Sequence, residues 1–483
     1  MEHLSTKTFI NDLCSTTPTL RLSRSSYTAA TASSLITKSS LSHLHLGTGA
    51  SLYLNITPLL LSTTTELILV TCFWASSPTL ATLNNVLLCL SSKSLTRDPT
   101  GETKIRVRIC LSSLSLWQKL FQAQEAYGCI YPPEQWETKL GLPRPDELRG
   151  LDLEVRCKFF RPLSVMHPKF VMVDGETVVL PSCNVSWEDW FEGGVVLDGA
   201  VVGHFKGFWE RHWGGYQGSK GAGAQFMPSG DIDDNLYTGL ETDQSNQGDV
   251  LPRRIALDIK DVDTVFLESD YHVNPYFMPF PWQRTPPPPW TPLNAFLLSV
   301  FRTVERRIYI QTPNVTAIPV LNAILDMLGR GVEVHIVTSE RLMILEQLVT
   351  AGTTTARCMQ RLINRYRDMK ARAGLQSPTQ ERLMEEGGVV LPGRLVVEYY
   401  QPARSQTRGQ TCVEPVQSHL KLTVADDELV ILGSGNMDRA SWYTSQELGV
   451  AFYSPALAET LQTTLEALLR PRKKLLFDSR NNT

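Results

Sequence analysis

The chain has 483 residues, of which 42% are hydrophobic and 20% charged. That is too long for one ordinary core and unlike a disordered composition. A formal net charge of −3 excludes a global attraction to nucleic acid or anionic membranes and leaves any steering to local patches. Nine cysteines without a C-x-x-C pair fit a reducing compartment. They argue against a disulfide framework and against a structural zinc site.

Residues 1–50 are rich in Ser and Thr and read as an irregular start with one or two short helices. The opening MEHLSTKTFIND has no continuous apolar core, so a secretory signal is not expected. A cytoplasmic location follows, with a mitochondrial presequence as the second choice because acids are sparse there. The most apolar stretch, 52–74, is interrupted by Ser62-Thr-Thr-Thr-Glu66. No membrane span is expected from it, so any membrane contact would be peripheral. Residues 67–74 form a short run of β-formers and read as a buried strand. A helix is predicted over 79–90, and strands over 105–110 and 151–160. Residues 213–250 lack apolar periodicity and read as a linker. Prolines break 274–291. The pattern then restarts: strand 307–312, helix 318–328, strand 331–337, one long helix 340–372 and strand 394–400.

The predicted division is an N-terminal segment 1–50, a first lobe 51–212, the linker 213–250, a second lobe 251–475 and a tail 476–483. The fold class is α/β, with two similar α/β/α-layered lobes related by a pseudo-two-fold axis.

One pattern occurs twice. The first copy is His167-Pro-Lys169-Phe-Val-Met-Val-Asp174, six residues, then Pro181-Ser182-Cys183-Asn184. The second is His419-Leu-Lys421-Leu-Thr-Val-Ala-Asp426, six residues, then Gly433-Ser434-Gly435-Asn436. Corresponding His, Lys, Asp, Ser and Asn are all 252 residues apart. His and Lys two apart on a strand point to one face, and the next strand ends in a turn that returns Ser and Asn to the same edge. Two such halves bring eight polar groups together. A neutral imidazole can attack phosphorus, and a protonated one can give its proton to the leaving oxygen. The Lys, Asn and Ser groups suit the non-bridging oxygens, where charge develops. Neither a metal nor another cofactor is expected.

These residues resemble those of the phospholipase D superfamily. The segment from Asn436 to Glu447, NMDRASWYTSQE, is similar to the segment after the motif in cardiolipin synthases and related phosphatidyltransferases. Gln311-Thr-Pro-Asn314 and 329–334 also look like their second lobe. The resemblance implies one active site shared by both lobes and a phosphohistidine intermediate resolved by water or an alcohol. It implies His167 as nucleophile and His419 as general acid. Lys169, Lys421, Asn184 and Asn436 would bind phosphate, supported by Ser182 and Ser434. Glu192 and Glu447 would orient the imidazoles, and Asp174 and Asp426 would serve as structural ligands of backbone. Pro181 stands where the family has Gly, opposite Gly433. Glu192 follows its Asn by eight residues and Glu447 by eleven, which makes Glu192 the weaker match.

The expected substrate is a glycerophospholipid, hydrolysed or transferred, and the expected state is a monomer. The alternatives are a nuclease of the same superfamily, which a net charge of −3 disfavours, and an inactive scaffold, which two complete motifs disfavour. Arg357, Arg361 and Arg365 share one face of the 340–372 helix, and the aromatic loop 276–290 could meet a lipid interface. The simpler readings are a solvated helix face and a packed surface loop.

Overall fold

A computed structural model describes residues 3–14, 28–114, 128–160, 164–214, 251–270, 286–374, 391–403 and 414–480. Helix α1 spans Leu4–Cys14 and is followed by strand β1, Ile36–Gly47. Helix α2, Gly49–Ser62, begins at Thr48, whose side chain accepts from the Ser51 N–H at 3.3 Å. Strand β2 is Glu66–Phe73. Helix α3, Pro78–Arg97, has Ser77 as N-cap and Pro in its first turn, the residue types that satisfy or dispense with orphan N–H groups. Its buried Leu80, Leu83, Leu87 and Leu90 recur at helical spacing.

Strands β3 (Ile105–Ser113), β4 (Leu151–Cys157), β5 (Phe170–Val173), β6 (Thr177–Pro181) and β7 (Trp190–Asp198) follow. Helix α4, Val201–His212, closes the first half. The second half opens with β8, Arg253–Ser269, and α5, Pro292–Thr303. Then come β9 (Arg307–Gln311), α6 (Ile318–Gly329), β10 (Glu333–Thr338), α7 (Ile344–Ala351), α8 (Thr355–Gly374) and β11 (Leu395–Tyr400). Strands β12 (Leu422–Ala425) and β13 (Leu429–Gly433), helix α9 (Arg439–Tyr443), β14 (Glu447–Tyr453), α10 (Pro455–Leu469) and β15 (Lys473–Asp478) complete it.

The same pairing scheme occurs twice. Strands β2, β3 and β4 are parallel neighbours, and β5, β6 and β7 continue from β2 antiparallel. Strands β9, β10 and β11 repeat the parallel set, and β12, β13 and β14 the antiparallel one. Even register is kept: Val171 faces Val179 and Thr423 faces Ile431. The two sets join in one sheet, because β1 pairs with both β7 and β8, and β8 pairs with β14. Alternate residues of β2 enter different cores: Ile68 and Val70 one, Leu67 and Leu69 the other. A strand covered on both faces reads as a continuous apolar run, which is why β2 was legible in the sequence.

Several expectations change. Residues 36–47 are not irregular: β1 is a long strand at the join between the halves. Its burial does not alternate cleanly, and register shifts near Leu41 interrupt its period. Helix α1 packs against α5 across the chain, with Ser299 Oγ donating to the Ser5 carbonyl at 2.7 Å. The helix expected over 340–372 is two helices, broken at Gly352, whose φ is +63°. Residues 476–478 belong to β15, which pairs with β11. The linker expected over 213–250 lies outside the described residues from 215 onward, as does 271–285 of the proline-rich break.

Candidate active site

The motif residues lie where antiparallel strands meet the C-terminal ends of the parallel ones. His167 and Lys169 precede β5, which runs antiparallel to β2, so they sit beside the end of β2. His419 and Lys421 precede β12 and sit beside the end of β9 in the same way. In open α/β sheets this carboxyl edge is where ligands bind.

Each histidine is held by the other half. The His167 backbone N–H donates to the Gln446 carbonyl at 3.0 Å, and its Nδ1 lies 2.8 Å from Glu447 Oε2. The His419 N–H donates to the Phe191 carbonyl at 2.9 Å, and its Nδ1 lies 2.8 Å from Glu192 Oε1. The pairing is reciprocal, because each carboxylate starts or enters the strand that follows its own motif copy. The unequal spacing of the two glutamates has a simple cause: the second copy inserts α9 between Asn436 and Glu447.

The serines also behave alike, but not as expected. Ser182 Oγ donates to Glu192, and Ser434 Oγ to Glu447. Each also accepts from a backbone N–H, of Gly193 at 2.9 Å and of Leu448 at 3.0 Å. Their hydroxyls are therefore committed to the carboxylates rather than open to a substrate. Lys169 and Lys421 are buried, and each Nζ donates to the carbonyl of the histidine two residues earlier, at 2.8 and 2.7 Å. A lysine donates three N–H groups, and among the described residues one on each is taken by that carbonyl.

The asparagines differ. Asn184 Oδ1 accepts from the Phe73 N–H at 3.3 Å, and its Nδ2 has no partner among the described residues. Asn436 Nδ2 instead donates to Asp438 Oδ2 at 3.0 Å, and its buried Oδ1 has no partner among the described residues. Asp174 and Asp426 lie away from this centre. Asp174 accepts the backbone N–H groups of Thr64, Thr65 and Glu66 where β2 begins. Asp426 does the same for Glu305, Arg306 and Arg307 where β9 begins.

Pro181 does not disturb its turn. The Ser182 N–H donates to Gly193 and the Ser434 N–H to Leu448, both at 2.8 Å. At Gly433 a Cβ would come within 2.4 Å of the Leu448 carbonyl oxygen and 2.6 Å of Gly449 Cα. In the first copy Pro181 faces Gly194, and the tightest neighbour of a Cβ there is a leucine methyl.

Burial and charge shift both histidines, both glutamates and Lys421. Burial pushes both imidazoles down from their ordinary value, helped by Lys169 and Lys421 and opposed by the paired glutamates. Burial would raise Glu192 and Glu447, but the facing histidines hold both carboxyls below the usual range. Burial lowers Lys421 to about 7, with Lys169 adding to the effect. Lysines of both copies thus act on both histidines, so the two motif copies form one electrostatic centre.

The copies are unequal in one respect that sequence reading missed. The Trp190 ring lies 4.8 Å from that of His419. The position before Glu447 that corresponds to Trp190 is Ser445. The His419 side chain is 3% exposed and that of His167 14%. The signal was an aromatic two residues before Glu192 with no counterpart in the other copy.

Residues 297–469 match the family model described as cardiolipin synthase, PLD-like domain. A comparison with curated proteins finds no significant match. Among solved structures, phosphatidylserine synthase from Haemophilus influenzae Rd KW20 aligns over 91% of this chain and 89% of its own, at 14% identity and TM-score 0.49. The phospholipase D family member Nuc from Salmonella typhimurium aligns over 38% of this chain and 90% of its own, at 19% identity and TM-score 0.24. Polyphosphate kinase from Porphyromonas gingivalis aligns over 88% of this chain and 46% of its own, at 10% identity and TM-score 0.43. The matched segment, 297–469, holds the second motif copy and is similar to a PLD-like domain, and the first copy, outside it, repeats the same spacing.

Proposed function

We propose that the protein is a phospholipase D-type phosphodiesterase that hydrolyses or transphosphatidylates a glycerophospholipid through a phosphohistidine. The crossed His–Glu pairing carries this reading. Each Nδ1 faces a carboxylate at 2.8 Å, so a neutral ring keeps its proton there and its lone pair on Nε2. His167, the more open ring, is the nucleophile. Its Nε2 forms the bond to phosphorus while the bond from phosphorus to the leaving oxygen breaks. His419, as imidazolium, gives its Nε2 proton to that oxygen. It then takes a proton from water or an alcohol, whose oxygen attacks phosphorus, and the P–N bond breaks. Burial disfavours a charged His419 in the resting site, and the phosphodiester anion restores the balance on binding. Lys169, Lys421 and the Asn184 amide bind the non-bridging oxygens. Asn436 joins them once its contact with Asp438 is exchanged. Ser182 and Ser434 hold the glutamates, and Glu192 and Glu447 hold the rings.

Headgroup release or exchange from phosphatidylglycerol and phosphatidylcholine vesicles in EDTA tests the reading. Loss in His167→Ala, and radioactive phosphatidyl label retained acid-labile on the quenched wild-type protein, support it. Inert vesicles together with cleavage of single-stranded DNA would move the substrate to nucleic acid. Full activity in His167→Ala would end the proposed mechanism.

A further inference from the structure

Helix α7 is built inside out. Its core-facing residues are Gln347, Thr350 and Ala351, whereas Leu345 is 80% exposed and Val349 47%. Met343, Ile344 and Leu348 complete the outward apolar face. The inward amide is fully engaged: Gln347 Nε2 donates to the Leu342 carbonyl at 2.6 Å, and Oε1 accepts from the Thr355 N–H at 2.6 Å and Oγ1 at 2.9 Å. A helix that only closed the fold would point its leucines inward and its glutamine out. Contiguous exposed apolar surface of this kind marks contact with a partner or a membrane.

Place and charge select the membrane. Helix α7 follows the C-terminal end of β10, the same sheet edge that carries the active site, and it packs against α9, three residues after Asn436. Arg341 precedes it, and Arg357, Arg361 and Arg365 follow at one-turn spacing on α8. All four are exposed, and none pairs with a carboxylate among the described residues. Glu346 is the single acid on α7. Behind its C-terminal end lies a cavity of about 390 Å³ with Leu321, Leu325 and Leu362 in its walls and Arg361 and Arg365 among its lining residues. Apolar side chains rimmed by arginine, beside a site for phosphodiesters, match the acyl boundary and headgroup layer of an anionic bilayer.

We propose that the outward face of α7, with the arginines of α8, docks the protein on an anionic lipid bilayer and sets its active-site edge against the headgroups. This deepens the proposed function, on which its meaning for catalysis rests, while docking itself can be measured alone.

Sedimentation with phosphatidylglycerol vesicles and with phosphatidylcholine vesicles is the test. Wild type is expected to prefer the anionic vesicles. Leu345→Glu/Leu348→Glu should lose roughly a hundredfold in partition, about tenfold per side chain. The milder Leu345→Ala/Leu348→Ala pair should lose about tenfold, with an unchanged thermal transition for both. Arg357→Glu/Arg361→Glu should remove the preference for anionic vesicles, as should high salt. Turnover of a short-chain, water-soluble phosphatidylglycerol should be unaltered in all three. Wild-type partition in the Glu/Glu variant overturns the proposal and leaves the enzymatic reading standing. So does a wild-type dimer that the Glu/Glu change splits without altering partition, since a second copy then covers the face. Vesicle binding that depends on α7, without turnover of any phospholipid, keeps the docking surface and ends the enzymatic reading.

Discussion

Replacing Glu447 by Gln should slow formation of the phosphohistidine, and the structure bounds by how much. The carboxylate is 1% exposed, and its Oε2 lies 2.8 Å from His167 Nδ1. In the proposed mechanism the ring becomes positive as Nε2 bonds to phosphorus, and Glu447 would stabilise that charge. Exchanging a charge-assisted hydrogen bond for a neutral one costs about 1.5 kcal/mol, or about tenfold in rate. The full attraction of unit charges at this distance with an effective dielectric constant near 20 is about 6 kcal/mol, or about 10⁴-fold. Between these limits kcat should fall about 10²- to 10³-fold. Glutamine preserves size and an acceptor for Ser434, so the fold should survive. Glu192→Gln acts on His419 instead, and so on protonation of the leaving oxygen. A phosphodiester with a p-nitrophenolate leaving group needs little protonation there. With it, the first step in Glu192→Gln should recover toward wild type, and that in Glu447→Gln should not. Pre-steady-state bursts of nitrophenolate report this step directly. Equal losses in both variants on both substrates would refute the division of roles. Losses under about threefold would remove the carboxylates from the mechanism.

Three further outcomes are expected. In kcat/KM against pH, the acid limb should lie below the ordinary histidine value of 6.5, because burial keeps His167 neutral as pH falls. On the alkaline side the profile should bend first as His419 loses its proton, below the ordinary histidine value, and fall more steeply as Lys421 loses its charge near 7; Lys421→Arg should move only that second fall upward wherever activity remains. Asp426→Ala strands three backbone N–H groups and places alanine at φ +51°. Urea melts should show a loss of about 3 kcal/mol with turnover retained in the folded fraction, and an unchanged midpoint would contradict the structural role. Pro181→Gly should cost at most about 1 kcal/mol through the unfolded chain and leave kcat intact. Gly433→Ala should cost at least about 2 kcal/mol and displace Ser434, because backbone atoms block its Cβ. A reversed order in thermal melts would show that Pro181, not Gly433, is the constrained position.

Much of the fold and the motif is written in spacing. The 252-residue repeat is mirrored in the register of β5 with β6 and of β12 with β13. Strand β2 reads clearly because a strand covered on both faces is continuously apolar, and β9 because Ile308 and Ile310 alternate with Arg307, Tyr309 and Gln311. The serines were misread for a physical reason. A sequence places a hydroxyl at a turn but cannot say which neighbour takes it, and here a carboxylate ten or thirteen residues later does. The break at Gly352 was hidden because an isolated glycine inside a helical pattern is tolerated. Strand β1 was missed because it is paired on both edges and shifts register, so its burial follows no simple period.

The sequence by itself determined the repeated motif: two histidines, two lysines and two asparagines at strand-edge spacing, repeated without a change of register. Such spacing is local, set by the rise and pleat of a strand, and it survives in a string of letters. Tertiary structure alone decided which glutamate holds which histidine, that Trp190 covers His419 and not His167, and that α7 turns its leucines outward. Those relations join residues as far as 280 positions apart. They depend on how β1 and β8 lock two sheets into one, a pairing that no local period records.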